Sequence, residues 1–358
     1  MGKILWKPTE EYILNSQIYK FQNKINDKFD LSLSSYLELY NWSINNIEDF
    51  WSSVWDDASI VYSQKYSNIV DDLNKMPGAK WFQNSKLNYA ENLLKIKNDN
   101  YAIEYYCEDQ NPKKITYNEL YKMVAQVSFT FKKKGLKKGD RVCAVMPNMP
   151  ETIVCMLAAT SMGLIWSSCS PDFGAKGILE RFKQIDPSIL ITVDGYYFKG
   201  KKYEIIDKIL NVSEKIDSIK NIILVNNISA NVIDKFISWE EVIDNDNNEV
   251  SFEQLPFNYP LFIMYSSGTT GKPKSIVHSS GGTLIQHIKE LKYHVNISNK
   301  DKIFYYTTCG WMMWNWLISS LGLGASIVLY DGNPFFPTPN RLLDIANDID
   351  IKIFGTSA

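Results

Sequence analysis

The nonapeptide Ser266–Lys274, SSGTTGKPK, gathers hydroxyls, glycines and lysines into one short run, a set of residues suited to gripping phosphate. Gly268 and Gly271 permit positive φ and close approach of the backbone to a ligand. Ser266, Ser267, Thr269 and Thr270 offer hydroxyl donors, and Lys272 and Lys274 bring positive charge. Successive N–H groups in such a turn form an anion-binding concavity. The spacing is not that of a Walker loop, because Gly268 is followed too soon by Gly271 and Lys272, and Pro273 stands where Ser or Thr is needed. A flexible linker would share the composition. A linker would not need the apolar strand LFIMY, Leu261 to Tyr265, directly before it, nor the extended run Ser275 to His278 directly after.

A second group lies in Thr307 to Trp316, TTCGWMMWNW. On spacing alone, tryptophan and methionine at this density read as the buried face of a helix. Cys309 within it reads as a small buried residue rather than a nucleophile. His278 reads as a strand-end histidine with structural hydrogen bonds, since nothing nearby in sequence would orient it as a base. His287 and His294, seven apart on an expected helix, make a weak metal pair. Lys199, Lys201 and Lys202, in YYFKGKKY, form a short basic run of the kind that is usually solvated.

The elements that must position these residues follow from periodicity. Residues 1–98 are rich in aromatics and amides with helical spacing and no clear strand alternation, which suggests a helical, loop-rich cap. From about residue 101 the rhythm changes to strand-then-helix units, the pattern of a doubly wound α/β domain. Leu120, Val124, Val127 and Phe131 share one face of a helix spanning Asn118 to Lys134, which Gly135 ends. Strands are expected at Arg141 to Met146, near Ile165, at Ile189 to Val193 and at Ile222 to Val225. Helices are expected from Pro150 to Met162, Ala175 to Gln184, near Tyr203 to Leu210, and Gly281 to Tyr293. Asp244 to Glu249 reads as a surface loop.

Composition narrows the function class. With 358 residues, 45% of them hydrophobic, the chain can bury a large core. A net charge of −2 provides no global field for nucleic acid or an anionic membrane. The five cysteines, Cys107, Cys143, Cys155, Cys169 and Cys309, are widely spaced and form no ligand cluster, which points to reduced thiols in the cytoplasm. The N-terminus lacks the apolar region of a signal peptide. Ile303 to Tyr330 carries no charged residue, but its glycines divide it into strand, helix and strand, the grammar of a buried βαβ unit rather than a membrane span.

The loop SSGTTGKPK resembles the nucleotide-binding loop of the adenylate-forming acyl-CoA synthetases, luciferases and peptide-synthetase adenylation domains. VHSSGG at Val277 to Gly282 is similar to the continuation seen in acetyl-type synthetases. KLNYAENLL at Lys86 to Leu94, SPDFG at Ser170 to Gly174, the tryptophan-methionine segment and LYDGNP at Leu329 to Pro334 resemble the acetoacetyl-CoA synthetase branch.

The resemblance implies an α/β fold of layered, doubly wound sheets with flanking helices. It divides the chain into an acetyl-CoA-synthetase-like cap at 1–98 and a partial AMP-binding large domain at 99–358, with the small C-terminal domain absent. It implies ATP with Mg²⁺ as cofactor, coenzyme A as co-substrate, and ligation of acetoacetate through an acyl-adenylate. It assigns the loop residues to the β- and γ-phosphates, Trp311, Met312, Met313, Trp314 and Asn315 to the acyl pocket, and Lys199, Lys201 and Lys202 to coenzyme A. An acetyl- or propionyl-preferring synthetase and a non-catalytic nucleotide-binding module are the alternatives.

The family's catalytic motifs, a Tyr-Gly-x-Thr-Glu carboxylate, a ribose-binding aspartate and a mobile lysine, are not found among the 358 residues, so no catalytic residue is assigned. The expectation is a partial chain with an open, apolar sheet edge and poor solubility. This chain alone should therefore show no acetoacetate-dependent exchange of pyrophosphate into ATP, and exchange above background would overturn that expectation.

Overall fold

The computed structural model describes residues 4–229, 233–266 and 271–356. Two sheets organise it. The larger runs, in spatial order, through Ile237–Ser238, Asn221–Val225, Ile189–Val193, Arg141–Val145, Ile165–Cys169, Pro260–Ser266 and Lys274–Ser279. Its neighbours pair in parallel until the last strand, which returns antiparallel. The second sheet is ordered Ile353–Gly355, Lys302–Tyr305, Ser326–Asp331, Tyr101–Cys107 and Lys113–Thr116, again parallel except for the final strand.

Parallel strands covered on both faces should read as unbroken apolar runs, and Ile189–Val193 is buried at every position. The helix Pro150–Ser161 is buried on all sides except at Glu151, as a helix lying within the core must be. Its Thr160 and Ser161 hydroxyls are satisfied by donating to the carbonyls of Met156 and Ala158, both at 2.8 Å. The helix Tyr117–Lys133 starts with a capping box between Thr116 and Glu119 and ends before Gly135 at φ 83°. Uncharged residues 303–330 resolve into core elements: strand Lys302–Tyr305, helix Met312–Ser319 and strand Ser326–Asp331. Among the described residues no helix is long and apolar enough to cross a membrane.

Two local expectations need correction. Lys201–Glu204 is a strand, paired with Gly195–Phe198, and the helix begins only at Ile206–Ser213. The tight Lys199–Gly200 turn, with φ of 53° and 71°, folds the chain into a hairpin, and Tyr203 stacks on Tyr196 at 5.2 Å. The cap also contains short strands, Asn68–Val70 and Trp81–Gln83, besides its helices.

The cap helices Gln17–Phe29 and Ile47–Asp57 dock on the helical segment that follows strand Lys274–Ser279. The helix Ser280–Lys289 passes into a π-helical turn, Glu290–His294, which sends Lys292 and Tyr293 toward the cap. Tyr293 lies 4.4 Å from Phe21, centroid to centroid, and donates its hydroxyl to Asp57 at 2.6 Å, while Lys292 and Lys24 pair with the same carboxylate. Burial acts to raise the Asp57 carboxyl, but the hydrogen bonds from Lys24, Lys292 and Tyr293 outweigh it and hold the group below its ordinary value. A depressed carboxyl stabilises the fold fully above the ordinary aspartate value of 3.8 and loses that contribution as pH falls through its folded-state value. Asp57→Asn should cost about 1–3 kcal/mol at neutral pH, reduced by the exposure of Lys24, and should flatten the acid limb of stability in urea titrations from pH 7 to pH 3.

Candidate active site

The strand Pro260–Ser266 carries the chain into the phosphate-type loop and Lys274–Ser279 carries it out, with Ser266 opposite Lys274 in the antiparallel register. Both flanks are tied to the last turn of helix Ala175–Phe182 and the residues just after it. Tyr265 donates its hydroxyl to the Arg181 carbonyl at 2.9 Å. Gln184 donates to the Pro273 carbonyl at 2.9 Å and accepts from Ser275 at 3.0 Å. Ser266 is half-buried, whereas Gly271, Lys272 and Lys274 are exposed. Ser267, Gly268, Thr269 and Thr270 lie outside the described residues.

The strand that leaves the loop also walls a cavity of about 520 Å³. Val277, His278 and Ser279 line one side, Thr283 and His287 of the next helix another, and Met312 and Met313 a third. Of the five residues that the resemblance assigns to an acyl pocket, the methionines are therefore on this cavity. Trp311 caps the helix and is 63% exposed. Trp314 is fully buried behind the cavity wall and donates its indole N–H to Asn148 at 2.9 Å. Asn315 is buried as well; its Nδ2 lies 3.1 Å from the Met264 sulfur, and its Oδ1 has no partner among the described residues.

Histidine chemistry in this cavity is neutral. Burial pushes the His287 imidazole down to about 4, with His278 adding to the effect and Glu290 opposing it. Burial lowers His278 as well, and its ring makes no hydrogen bond among the described residues. His287 was not assigned to the site from the sequence, yet the signal existed. Ser279, Thr283 and His287 recur at helical spacing on one face, and only the placement of Met312 and Met313 opposite shows what that face borders.

The lysine run occupies the hairpin tip. Glu108 accepts the backbone N–H of Lys199 at 3.0 Å, of Gly200 at 2.7 Å and of Asn333 at 2.6 Å, fixing the hairpin to the second sheet. Lys199, Lys201 and Lys202 are exposed; Lys202 donates to the Ile228 carbonyl at 3.1 Å. Beneath the hairpin a cavity of about 360 Å³ is lined by Tyr196, Tyr203, Tyr306, Thr308 and Asp331. Burial pushes the Asp331 carboxyl up to about 7, the Asn148 N–H opposing and the Glu108 and Asp172 charges adding. Cys309 is buried and its thiol donates to the Met146 carbonyl at 3.0 Å; burial raises that thiol to about 12, which makes it a packing group.

Residues 94–357 match the family "AMP-binding enzyme". The chain belongs to that family. Residues 36–93 match the family described as the acetyl-coenzyme A synthetase N-terminus. The chain is 42% identical to an acetoacetyl-CoA synthetase of Danio rerio, over all of this chain and 55% of the relative. It is 40% identical to one of Rhizobium meliloti (strain 1021), over 99% of this chain and 55% of the relative. The structure of the acetoacetyl-CoA synthetase from Streptomyces lividans superposes with a TM-score of 0.96 at 37% identity, covering 99% of this chain and 55% of that one. The chain thus spans about half the length of the relatives it matches.

Within this AMP-binding fold, Trp314 holds the methionine-bearing helix from behind. Trp314→Phe should cost about 1–3 kcal/mol by leaving the Asn148 oxygen unpaired, and Trp314→Ala about 3–5 kcal/mol through the cavity it opens, both read from urea denaturation midpoints.

Proposed function

We propose that this chain supplies the ATP- and acyl-binding part of an acetoacetate–CoA ligase. The observation that carries the reading is that one strand, Lys274–Ser279, both closes the phosphate-type loop and walls the methionine cavity. A nucleotide held at the loop and an acid held against Met312 and Met313 would meet along that strand, which is what joining them requires. The acid's carboxylate oxygen attacks the α-phosphorus of ATP, the bond to the β-phosphate oxygen breaks, and pyrophosphate leaves with the acyl-adenylate retained. The thiol of coenzyme A then attacks the acyl carbon, and AMP departs as the thioester forms.

In this reading Ser266 to Lys274 cradle the β- and γ-phosphates, with Lys272 and Lys274 offsetting the charge of the leaving group. Met312 and Met313 shape the acyl wall, and Trp314 and Asn315 position them. Trp311 shields the entrance from outside. Coenzyme A lies along the hairpin, its phosphates near Lys199, Lys201 and Lys202 and the rest against the tyrosine-lined cavity. Residues 1–98 act as the cap and 99–358 as the nucleotide-binding domain. ATP enters as its Mg²⁺ complex, the cation carried by the phosphates, and no step is assigned to it; among the described residues there is no cluster of three or more His, Cys, Asp or Glu that could hold a metal. Five free, buried thiols support a place in the reducing cytoplasm.

Two measurements test this reading. Lys272→Ala should weaken ATP binding about tenfold, read by calorimetry; unchanged affinity would remove the loop from the phosphate site. In the protein with its complete activity, Met313→Thr together with Asn315→His should erode the preference for acetoacetate over acetate. An unaltered ratio would sink the acyl assignment, and a starting preference for acetate or propionate would favour the acetyl-type alternative. ATP binding without turnover of any acid would leave only a nucleotide-binding module.

A further inference from the structure

We infer that His287 is a specificity-determining residue of the methionine cavity, presenting a bare ring nitrogen that selects short acids with an oxygen on the third carbon. The inference rests on the acyl reading of that cavity and goes beyond it in naming what is recognised and by which atom.

The argument begins at Ser319, a buried hydroxyl with three neighbours. Its Oγ lies 3.0 Å from the Asn315 carbonyl, 2.7 Å from the Tyr89 hydroxyl and 2.8 Å from His287 Nδ1. A serine hydroxyl has one hydrogen to give and two lone pairs to receive with. The carbonyl can only accept. All three contacts are hydrogen bonds in a single arrangement: Ser319 donates to Asn315, and accepts from the Tyr89 O–H and from an Nδ1–H of His287. A bare Nδ1 would compete for that one hydrogen and reduce the Asn315 approach to a contact between two acceptors. Burial keeps the Tyr89 phenol protonated, its ionisation being pushed upward, so it is available as a donor.

Because the imidazole is neutral, a proton on Nδ1 leaves Nε2 as an acceptor. With Nδ1 committed to Ser319, the part of the ring left to border the cavity carries Nε2. Nε2 has no hydrogen-bond partner among the described residues. Around the same cavity stand the thioethers of Met312 and Met313, the aliphatic Val277, Trp316, the hydroxyls of Ser279 and Thr283 and the Gln286 amide, none of which donates to Nε2, with neutral His278 the other titratable group on the wall. An acceptor in such surroundings is costly to leave unmet.

A carboxylate cannot meet it, being itself an acceptor, which directs the acid's reacting end away from His287. An unsubstituted short acid presents only methyl and methylene there, so a water donating to Nε2 finds no acceptor on the acid for its second hydrogen. An enol or 3-hydroxyl O–H donates to it directly. A 3-oxo group reaches it through one water that donates one hydrogen to Nε2 and the other to the ketone oxygen. The cavity, at about 520 Å³, has room for that water beside a four-carbon acid.

The test uses the three histidines of the chain, which give a short list of signals when the imidazoles are labelled with nitrogen-15; His287→Gln assigns one of them. Between pH 6 and pH 8 His287 should show a protonated Nδ1 and a bare Nε2, and a protonated Nε2 would overturn the inference without any ligand. Acetoacetate, 3-hydroxybutyrate and butyrate are then titrated in the presence of a non-hydrolysable ATP analogue, with the Met312 and Met313 methyl signals reporting occupancy. The oxygenated acids should shift Nε2 and bind about tenfold more tightly than butyrate, a margin that His287→Phe should abolish while sparing butyrate. Methyl shifts without an Nε2 shift would reject His287 as the reader while leaving the acyl cavity intact. No methyl shift with any acid would reject the acyl cavity, and the inference with it.

Discussion

The antiparallel return of Lys274–Ser279 along Pro260–Ser266 is the constraint on which the site depends. In an otherwise parallel sheet, each strand end is followed by a crossover that carries the chain away. Here the chain turns back at once, so the residues after the phosphate-type loop stay beside it. The register that sets Ser266 opposite Lys274 and Phe262 opposite His278 then delivers Ser279 to the start of the helix bearing His287. A slip of one residue would move every side chain of Lys274–Ser279 to the other face and take Val277 and His278 off their present positions on the cavity wall.

Much of this was legible in the sequence, for reasons that differ from residue to residue. The loop stood out as a candidate because its chemistry is local: hydroxyls, glycines and lysines in one short run need no partner to be noticed. The βαβ unit in residues 303–330 was legible because glycine punctuation and unbroken apolarity fix both the elements and their burial. The Tyr203 to Leu210 segment misled at its start, because its apolar spacing suits a helix, while Tyr203 and Glu204 are drawn into a hairpin with Gly195–Phe198 whose turn is held by Glu108, far away in sequence. Met312 and Met313 could be suspected of lining a pocket, but their neighbours Trp314 and Asn315 share the same composition and point elsewhere. Which side of a short helix meets a cavity is set by packing partners such as Asn148 and Met264, and no local pattern records them.

The polar hub at Ser319 shows how little polarity a well-packed core needs in order to be specific. Tyr89 comes from the short helix Tyr89–Leu93 near the end of the cap, His287 from the helix after the loop, and Asn315 from the helix of the methionines. One hydroxyl draws the three together, and an apolar residue in its place would leave a phenol and an imidazole without partners.

The clasp between cap and core has a temporal side. Asp57 and its partner Tyr293 are 236 residues apart in sequence, so during synthesis the cap helices emerge long before the turn that receives them. At ordinary translation rates that gap lasts roughly 10 to 50 s. Through that interval Phe21 has no Tyr293 to cover it and Asp57 no Lys292, and the newborn cap is a sticky amphipathic bundle in want of a surface. Chaperone demand should therefore fall early in the life of this chain and end abruptly, when the π-helical turn clears the ribosome.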